Sequence, residues 1–114
     1  MTLSALLTSI LETPQQISFD DVINTITENY QYTPATFSNG KVVNEAGTNE
    51  GSCKIFAFAK LHKLSQEQAL ACFGKYYRDD VLANPAGDDH GNIRNFMVSG
   101  WEGVSFSSEA LTLN

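Results

Sequence analysis

The segment from Cys53 to Leu64 constrains the fold most, because it is apolar on almost every side of a helical wheel. The residues that nearly encircle the axis are Cys53, Ile55, Phe56, Ala57, Phe58, Ala59 and Leu61. A helix that is apolar on most sides lies in the interior of a domain. We therefore predict a central helix from about Ser52 to Leu64, with His62 as a core histidine and the rest of the chain packed around it.

Two amphipathic segments precede this central helix. Apolar residues recur at helical spacing from Leu3 to Leu11, and Pro14 ends that helix. A second helix is predicted to begin at Ser18, whose hydroxyl would accept a backbone N–H, with Asp20 and Asp21 favoured in its first turn.

A β-hairpin is predicted between the second helix and the central one. Asn39-Gly40 lies between Phe37 and Val43, and this dipeptide is a strong signal for a tight hairpin turn. Because an isolated hairpin is only marginally stable in water, it needs another partner, and Val104–Phe106 is the expected third strand.

Two more helices follow the central one. Ser65 and Gln68 have the spacing of a capping box, and the helix that they start carries its apolar face as far as Tyr77. Residues 79–87 read as a connection, and a last helix runs from about Asp89 to Ser99, with an apolar side formed by Ile93, Phe96, Met97 and Trp101. The chain is thus predicted to be a single compact domain over residues 1–114, mainly α with α+β character, of about five helices and a small hairpin.

The composition excludes several classes of partner. The net charge is −6, and the seven Lys and Arg residues are scattered singly, which argues against binding to nucleic acid or to an anionic membrane surface. No apolar stretch is long enough to span a bilayer, and the first residues lack the pattern of an export signal. Cys53 and Cys72 are too few for a disulfide framework and are predicted to be reduced thiols, with a single bridge between them as the alternative.

The entrance to the central helix is the first candidate site. Asn49, Gly51 and Ser52 could present free backbone N–H groups to a phosphate or carboxylate, with Lys54 nearby. The alternative is structural, with Asn49 or Ser52 capping the helix. No nucleotide-binding fingerprint is present, so the sequence predicts no nucleotide cofactor.

A second candidate site is the polar cluster at the start of the last helix. His90 and Arg94 are four residues apart and share a helical face, with Asn92 between them. This group suits an anionic or carboxylate ligand. One histidine beside carboxylates, without a second histidine at ligand spacing, does not predict a metal site. The structural alternative is that an aspartate, Asp88 or Asp89, caps this helix.

The thiol of Cys53 is the third candidate. It lies in the first turn of the central helix, where the positive end of the helix dipole would lower its pKa. His62 lies on the opposite face of that helix, so His90 is the remaining histidine that could act as its base. The alternative is a buried structural thiol.

The longest unusual strings are AGTNEGSCKIFAFAKLHKLS, LACFGKYYRDDVL and DDHGNIRNFMVSGWEGVSF. They resemble the HopJ family of small bacterial proteins, which is named for a type III secreted effector, and the likeness runs from Phe37 to Phe106. The positions that match the family pattern are Asn49, Gly51, Ser52, Cys53, Lys54, His90, Asn92, Arg94 and Trp101. The resemblance implies no catalytic mechanism, cofactor or set of active residues.

We therefore expect a HopJ-like effector or effector-related bacterial protein that binds a protein partner or a small anionic ligand, in a groove between the Asn49–Lys54 loop and the His90–Arg94 helix. The alternatives are a small enzyme with Cys53 as nucleophile and His90 as base, and a housekeeping protein with the same fold. The expected location is the bacterial cytoplasm, with secretion through a type III system into a host cell as an extension. The sequence predicts no oligomeric state.

Overall fold

The predicted central helix is present as α3, Glu50–Leu61, in the computed structural model, which describes residues 1–114. Ile55, Phe56 and Phe58 have no exposed surface. Around the Phe56 ring lie, at centroid distances of 4.9 to 6.4 Å, the rings of Phe96, Phe73, Phe37 and Trp101. The helix ends at Leu61 rather than Leu64, because Lys63 adopts a left-handed conformation with φ of 53°.

The first two helices, α1 (Leu3–Glu12) and α2 (Phe19–Asn29), lie where the sequence predicts them. Pro14 follows α1 and begins a short 3₁₀ turn. Ser18 holds the N-cap position of α2, but its side chain makes no capping hydrogen bond, so that part of the prediction is wrong. The acidic residues of the first turn face the positive end of the helix as expected.

The hairpin and its third strand are confirmed. Strands β2 (Phe37–Asn39) and β3 (Val42–Asn44) pair in antiparallel fashion, and β4 (Val104–Phe106) pairs with the other edge of β2. Gly40 has φ of 61°, the conformation that the tight turn requires.

A second sheet was not predicted. It joins β1 (Tyr30–Tyr32) to β5 (Leu111–Leu113) in antiparallel register. Each strand has three residues, and the two strands come from distant parts of the chain, so no local sequence pattern predicts their pairing.

Helix α4 (Gln66–Ala71) begins with the predicted capping box. The Ser65 hydroxyl accepts the Gln68 N–H at 3.1 Å, and the Gln68 side chain accepts the Ser65 N–H at 2.8 Å. The helix stops well before Tyr77, because Gly74 has φ of 60° and a Cβ there would lie 2.8 Å from the backbone nitrogen of Phe19. A π-helical turn, Tyr76–Val81, occupies the start of the predicted connection.

The last helix, α5 (Gly91–Ser99), starts two positions later than expected, and a 3₁₀ turn, Gly100–Gly103, leads from it to β4. Ile93 and Phe96 are buried as predicted, whereas Met97 is exposed. The fold class is therefore confirmed as mainly helical α+β with a small antiparallel sheet. Both cysteines are free thiols, as predicted. None of the helices has the length and apolar character needed to cross a membrane.

Candidate functional site

A cavity of about 450 Å³ lies where the N-terminal ends of α3 and α5 meet. Its polar wall comes from these two helix starts, and its apolar wall from three aromatic side chains and one isoleucine. The lining residues are Asn49, Gly51, Ser52, His90, Gly91, Asn92, Ile93, Phe19, Phe73 and Tyr76. Five of the residues predicted from the sequence are among them: Asn49, Gly51, Ser52, His90 and Asn92.

The start of α3 has no side-chain cap. Asn49 occupies the N-cap position in a left-handed conformation, with φ of 48° and ψ of 47°. Its amide does not turn to the helix but donates a hydrogen bond of 2.7 Å to Oδ1 of Asn44. The first helical hydrogen bond is donated by Cys53 N–H. The backbone N–H groups of Gly51 and Ser52, which lie at the cavity, therefore have no partner in the protein.

The start of α5 is built in the same way. His90 is its N-cap residue, with φ of 50° and ψ of 50°, and no side chain caps the helix. The expectation of an aspartate cap is wrong, because the Asp89 carboxylate is held by Arg94 instead. The first helical hydrogen bond is donated by Arg94 N–H to His90, so the N–H groups of Gly91 and Asn92 are unpaired at the cavity.

A buried asparagine network joins both helix starts to the hairpin. Asn44 and Asn92 exchange two amide hydrogen bonds of 3.0 and 2.9 Å. Asn39 donates to the backbone and side-chain oxygens of Asn92. Since Asn49 also donates to Asn44, one hairpin residue fixes the positions of α3 and α5 together. These three hairpin and helix residues, Asn39, Asn44 and Asn92, are almost fully buried.

Among the ionisable residues proposed from the sequence, His90 is the one that lines the cavity. Its Nε2 lies 3.0 Å from Oδ2 of Asp80, on the π-helical turn, and 3.8 Å from Oδ2 of Asp89. The Tyr76 ring lies 5.5 Å from the imidazole, centroid to centroid. The imidazole is therefore held between a carboxylate and an aromatic ring, with 30% of its side chain exposed.

Two predicted ligand residues do not line the cavity. Arg94 donates to Asp89 Oδ1 at 2.6 Å and to the carbonyl oxygen of Asn84 at 2.9 Å, so it ties down the loop before α5. This contact lowers the pKa of the Asp89 carboxyl, mainly through the hydrogen bond from Arg94. Lys54 lies over the ring of Tyr32, 4.7 Å from its centroid.

Cys53 has the properties of a structural thiol. It is 1% exposed, does not line the cavity and lies 3.8 Å from the carbonyl oxygen of Ala35. Burial raises the pKa of the Cys53 thiol, so the expectation that the helix dipole would lower it is wrong. Burial likewise raises the pKa of Cys72 to about 12.

His62 lies away from the cavity, at the C-terminal end of α3. It is half-buried against the Phe58 ring and hydrogen-bonded to the hydroxyl of Tyr30. Burial lowers the pKa of His62, which favours its neutral form. Its contacts fit the structural role predicted for it, although it is less buried than a core residue.

Sequence reasoning missed three lining residues of the cavity and the carboxylate that contacts His90. Phe19, Phe73 and Tyr76 follow helical patterns that predict only packing, and Asp80 falls in a segment interpreted as a connection. A possible signal was the number of asparagines near the two helix starts, since buried asparagines must be hydrogen-bonded.

A second cavity of about 480 Å³ lies between α3 and β5. Its lining includes Lys60, Leu61, Phe106 and Leu111, and none of the candidate residues reaches it. Lys60 lies over the Phe106 ring, 5.7 Å from its centroid.

One of the comparisons with known proteins identifies a family. The family model described as HopJ type III effector protein matches residues 3–111. A solved structure described as "Crystal structure of unknown function protein VPA0580" has a TM-score of 0.98 and 50% sequence identity, covering 100% of this chain and 95% of that chain. No curated protein matches the chain. Because the family model covers nearly all of its length, the chain belongs to the HopJ type III effector protein family.

Proposed function

We propose that this HopJ protein binds a small anionic ligand in the cavity between α3 and α5. The observation that carries the proposal is the meeting of two helix N-termini, neither capped by a side chain, at one cavity. Each such end offers unpaired N–H groups and a partial positive charge, which together favour an anion.

The lining of the cavity limits the kind of anion. A volume of about 450 Å³ suits a small molecule rather than a polymer. No Lys or Arg lines it, so neutral backbone donors and His90 would hold the charge. With a net charge of −6, the protein as a whole repels polyanions. A carboxylate or a single small phosphate fits these conditions better than a polyphosphate.

The test adds a carboxylate to the proposed anion site. A Cβ at Gly91 would meet nothing within 4 Å, so Gly91→Asp fits without a clash, and an acidic residue in the first turn should stabilise α5 by about 0.3–1 kcal/mol. The same charge should repel the ligand. We expect acetate or phosphate to shift the backbone amide resonances of residues 50–53 and 91–94 in NMR titrations, and to bind Gly91→Asp at least about tenfold more weakly, a difference of about 1.4 kcal/mol.

Gly91→Asn is the matched control, since it has the same shape without the charge, and it should retain binding. Two results contradict the proposal: amides of the wild-type helix starts that do not respond to any small anion, or equal titration curves for the Asp and Asn variants. Thermal unfolding of the three proteins separates loss of binding from loss of fold.

The effector role stands on the family name, and we propose that the protein acts as a type III effector or an effector-related protein. A tagged copy in a bacterium with a working type III system should then appear in the medium, and should not appear when that system is inactivated. A second candidate is a role inside the bacterial cytoplasm. Retention of the tagged protein in both strains supports this second role.

A further inference from the structure

We propose that His90 and Asp80 form an acid–base pair that hydrolyses small carboxylic esters in the α3–α5 cavity. This goes beyond ligand binding, although it rests on the same cavity being accessible to a small ligand. His90 would be the catalytic base, and Asp80 a positioning residue that acts through it.

The contact with Asp80 determines which imidazole nitrogen can act as a base. The Asp80 carboxylate is an acceptor, so the His90 Nε2 that lies 3.0 Å from it must carry a proton and donate it. In the neutral imidazole, Nδ1 then holds the free lone pair. A carboxylate that fixes the tautomer and stabilises the imidazolium is the usual companion of a catalytic histidine.

The surroundings of His90 hold the ring at the cavity. Asp89 lies on one side, at 3.8 Å from Nε2, and the Tyr76 ring lies 5.5 Å from the imidazole. The ring is only 30% exposed, and it lines the cavity together with Ser52 and the unpaired N–H groups of the two helix starts. A base, its orienting carboxylate and donors for a developing negative charge are thus present in one place.

The reaction needs only water as a second reactant. As the oxygen of a water molecule bonds to the acyl carbon, His90 Nδ1 takes one of its protons, and the carbonyl oxygen becomes negative. The backbone N–H groups can stabilise that charge. When the carbonyl re-forms, the bond from carbon to the alkoxy oxygen breaks, and the imidazolium returns its proton to the leaving alcohol. A carboxylic acid and an alcohol are the products.

The lining also indicates the substrate class. Phe19, Phe73, Tyr76 and Ile93 form an apolar wall, which suits an apolar or aromatic acyl group. Water is the proposed nucleophile rather than Ser52, because no hydrogen bond joins Ser52 to His90, as an activated serine requires.

The test measures hydrolysis of 4-nitrophenyl phenylacetate by the whole protein, compared with free imidazole at the same concentration. We expect the wild type to exceed imidazole, and His90→Gln to lower kcat/KM at least about 100-fold. His62→Gln is the matched control, since it removes the other histidine, which lies at the far end of α3; its rate should stay within about twofold of the wild type.

Asp80→Asn tests the positioning role. It should lower kcat at least about tenfold and leave KM almost unchanged, because it disturbs the base and not the apolar wall. Asp79→Asn, at the neighbouring exposed position, should change neither constant. Circular dichroism checks that all variants are folded.

Three results overturn the proposal: a wild-type rate no higher than that of free imidazole, full activity in His90→Gln, or a Ser52→Ala variant that loses all activity and thereby shows a serine nucleophile. The two proposals can fail separately. If anions shift the amides of the helix starts but esters are not hydrolysed, the catalytic proposal fails and the binding proposal stands.

Discussion

The N-terminus of α4 is capped by side chains, whereas the N-termini of α3 and α5 are not. At α4, Ser65 and Gln68 form a full capping box, in which side chains accept the N–H groups of Gln68 and Ser65. At α3 and α5, Asn49 and His90 are both left-handed, and neither helix receives a hydrogen bond from a capping side chain. Non-glycine residues seldom adopt this conformation.

The difference shows what the polar side chains of the site are used for. Asn49 and Asn92 lie at the starts of α3 and α5 and have the chemistry for capping, but both donate to Asn44. The capping capacity is thus used to hold two helices in one arrangement, and the first N–H groups of both helices stay unpaired. Left-handed residues and uncapped helix ends cost stability, and such costs commonly mark functional sites.

Among the substitutions that test this difference in capping, removal of the Asn44 side chain should change the free energy of unfolding most. Asn44→Ala takes away the shared partner of the exposed Asn49 amide and of the buried Asn92 side chain, and we expect it to lower the free energy of unfolding by about 3 kcal/mol. Urea denaturation measures the change. The control is Asn24→Ala on the exposed face of α2, which should stay within about 0.5 kcal/mol of the wild type. A loss of less than 0.5 kcal/mol for Asn44→Ala contradicts the role given to the network.

The sequence predicts those parts of the fold that local signals specify. Three predicted features depend only on residues close together in the sequence, and all three are present. They are the helix α3 with apolar residues on most sides, the Asn39-Gly40 turn and the Ser65 capping box. The pairing of β1 with β5 depends on residues that meet only after the core has formed, so no local pattern could predict it.

The candidate site likewise has parts that the sequence predicts and parts that it does not. The sequence identifies the two glycine-containing helix starts, but it cannot show that they meet, because that depends on the asparagine network. Helical spacing places His90 and Arg94 on one face, yet Arg94 turns to the loop carbonyl of Asn84, while His90 reaches Asp80 on another element. The predicted direction of the Cys53 pKa shift is wrong for a related reason, because the effect of burial outweighs that of the helix dipole.

The capping comparison can be sharpened with two serines. Ser65→Ala removes an acceptor that α4 uses, and we expect it to cost about 1 kcal/mol in the free energy of unfolding. Ser52→Ala removes a hydroxyl from the first turn of α3 that makes no hydrogen bond in the protein, so its cost should stay within about 0.5 kcal/mol. Denaturation curves of both variants under the same conditions give the comparison. Equal costs would mean that Ser52 also caps its helix.

The last prediction concerns the inward side of the α3 start, where Cys53 lies, and it needs no substitution. Since burial raises its pKa, the thiol stays protonated and shielded at neutral pH, and iodoacetamide should modify it far more slowly than in the unfolded chain. Cys72, whose pKa is raised to about 12, provides an internal comparison, and mass spectrometry distinguishes the two sites without any substitution. Raised thiol pKa values also mean that the unfolded state releases protons first, so stability should fall as the pH rises from about 9 toward 12. Rapid modification of native Cys53 below pH 7 would show that the dipole of α3 lowers the pKa of the thiol. It would then restore the enzyme with Cys53 as nucleophile as a candidate function.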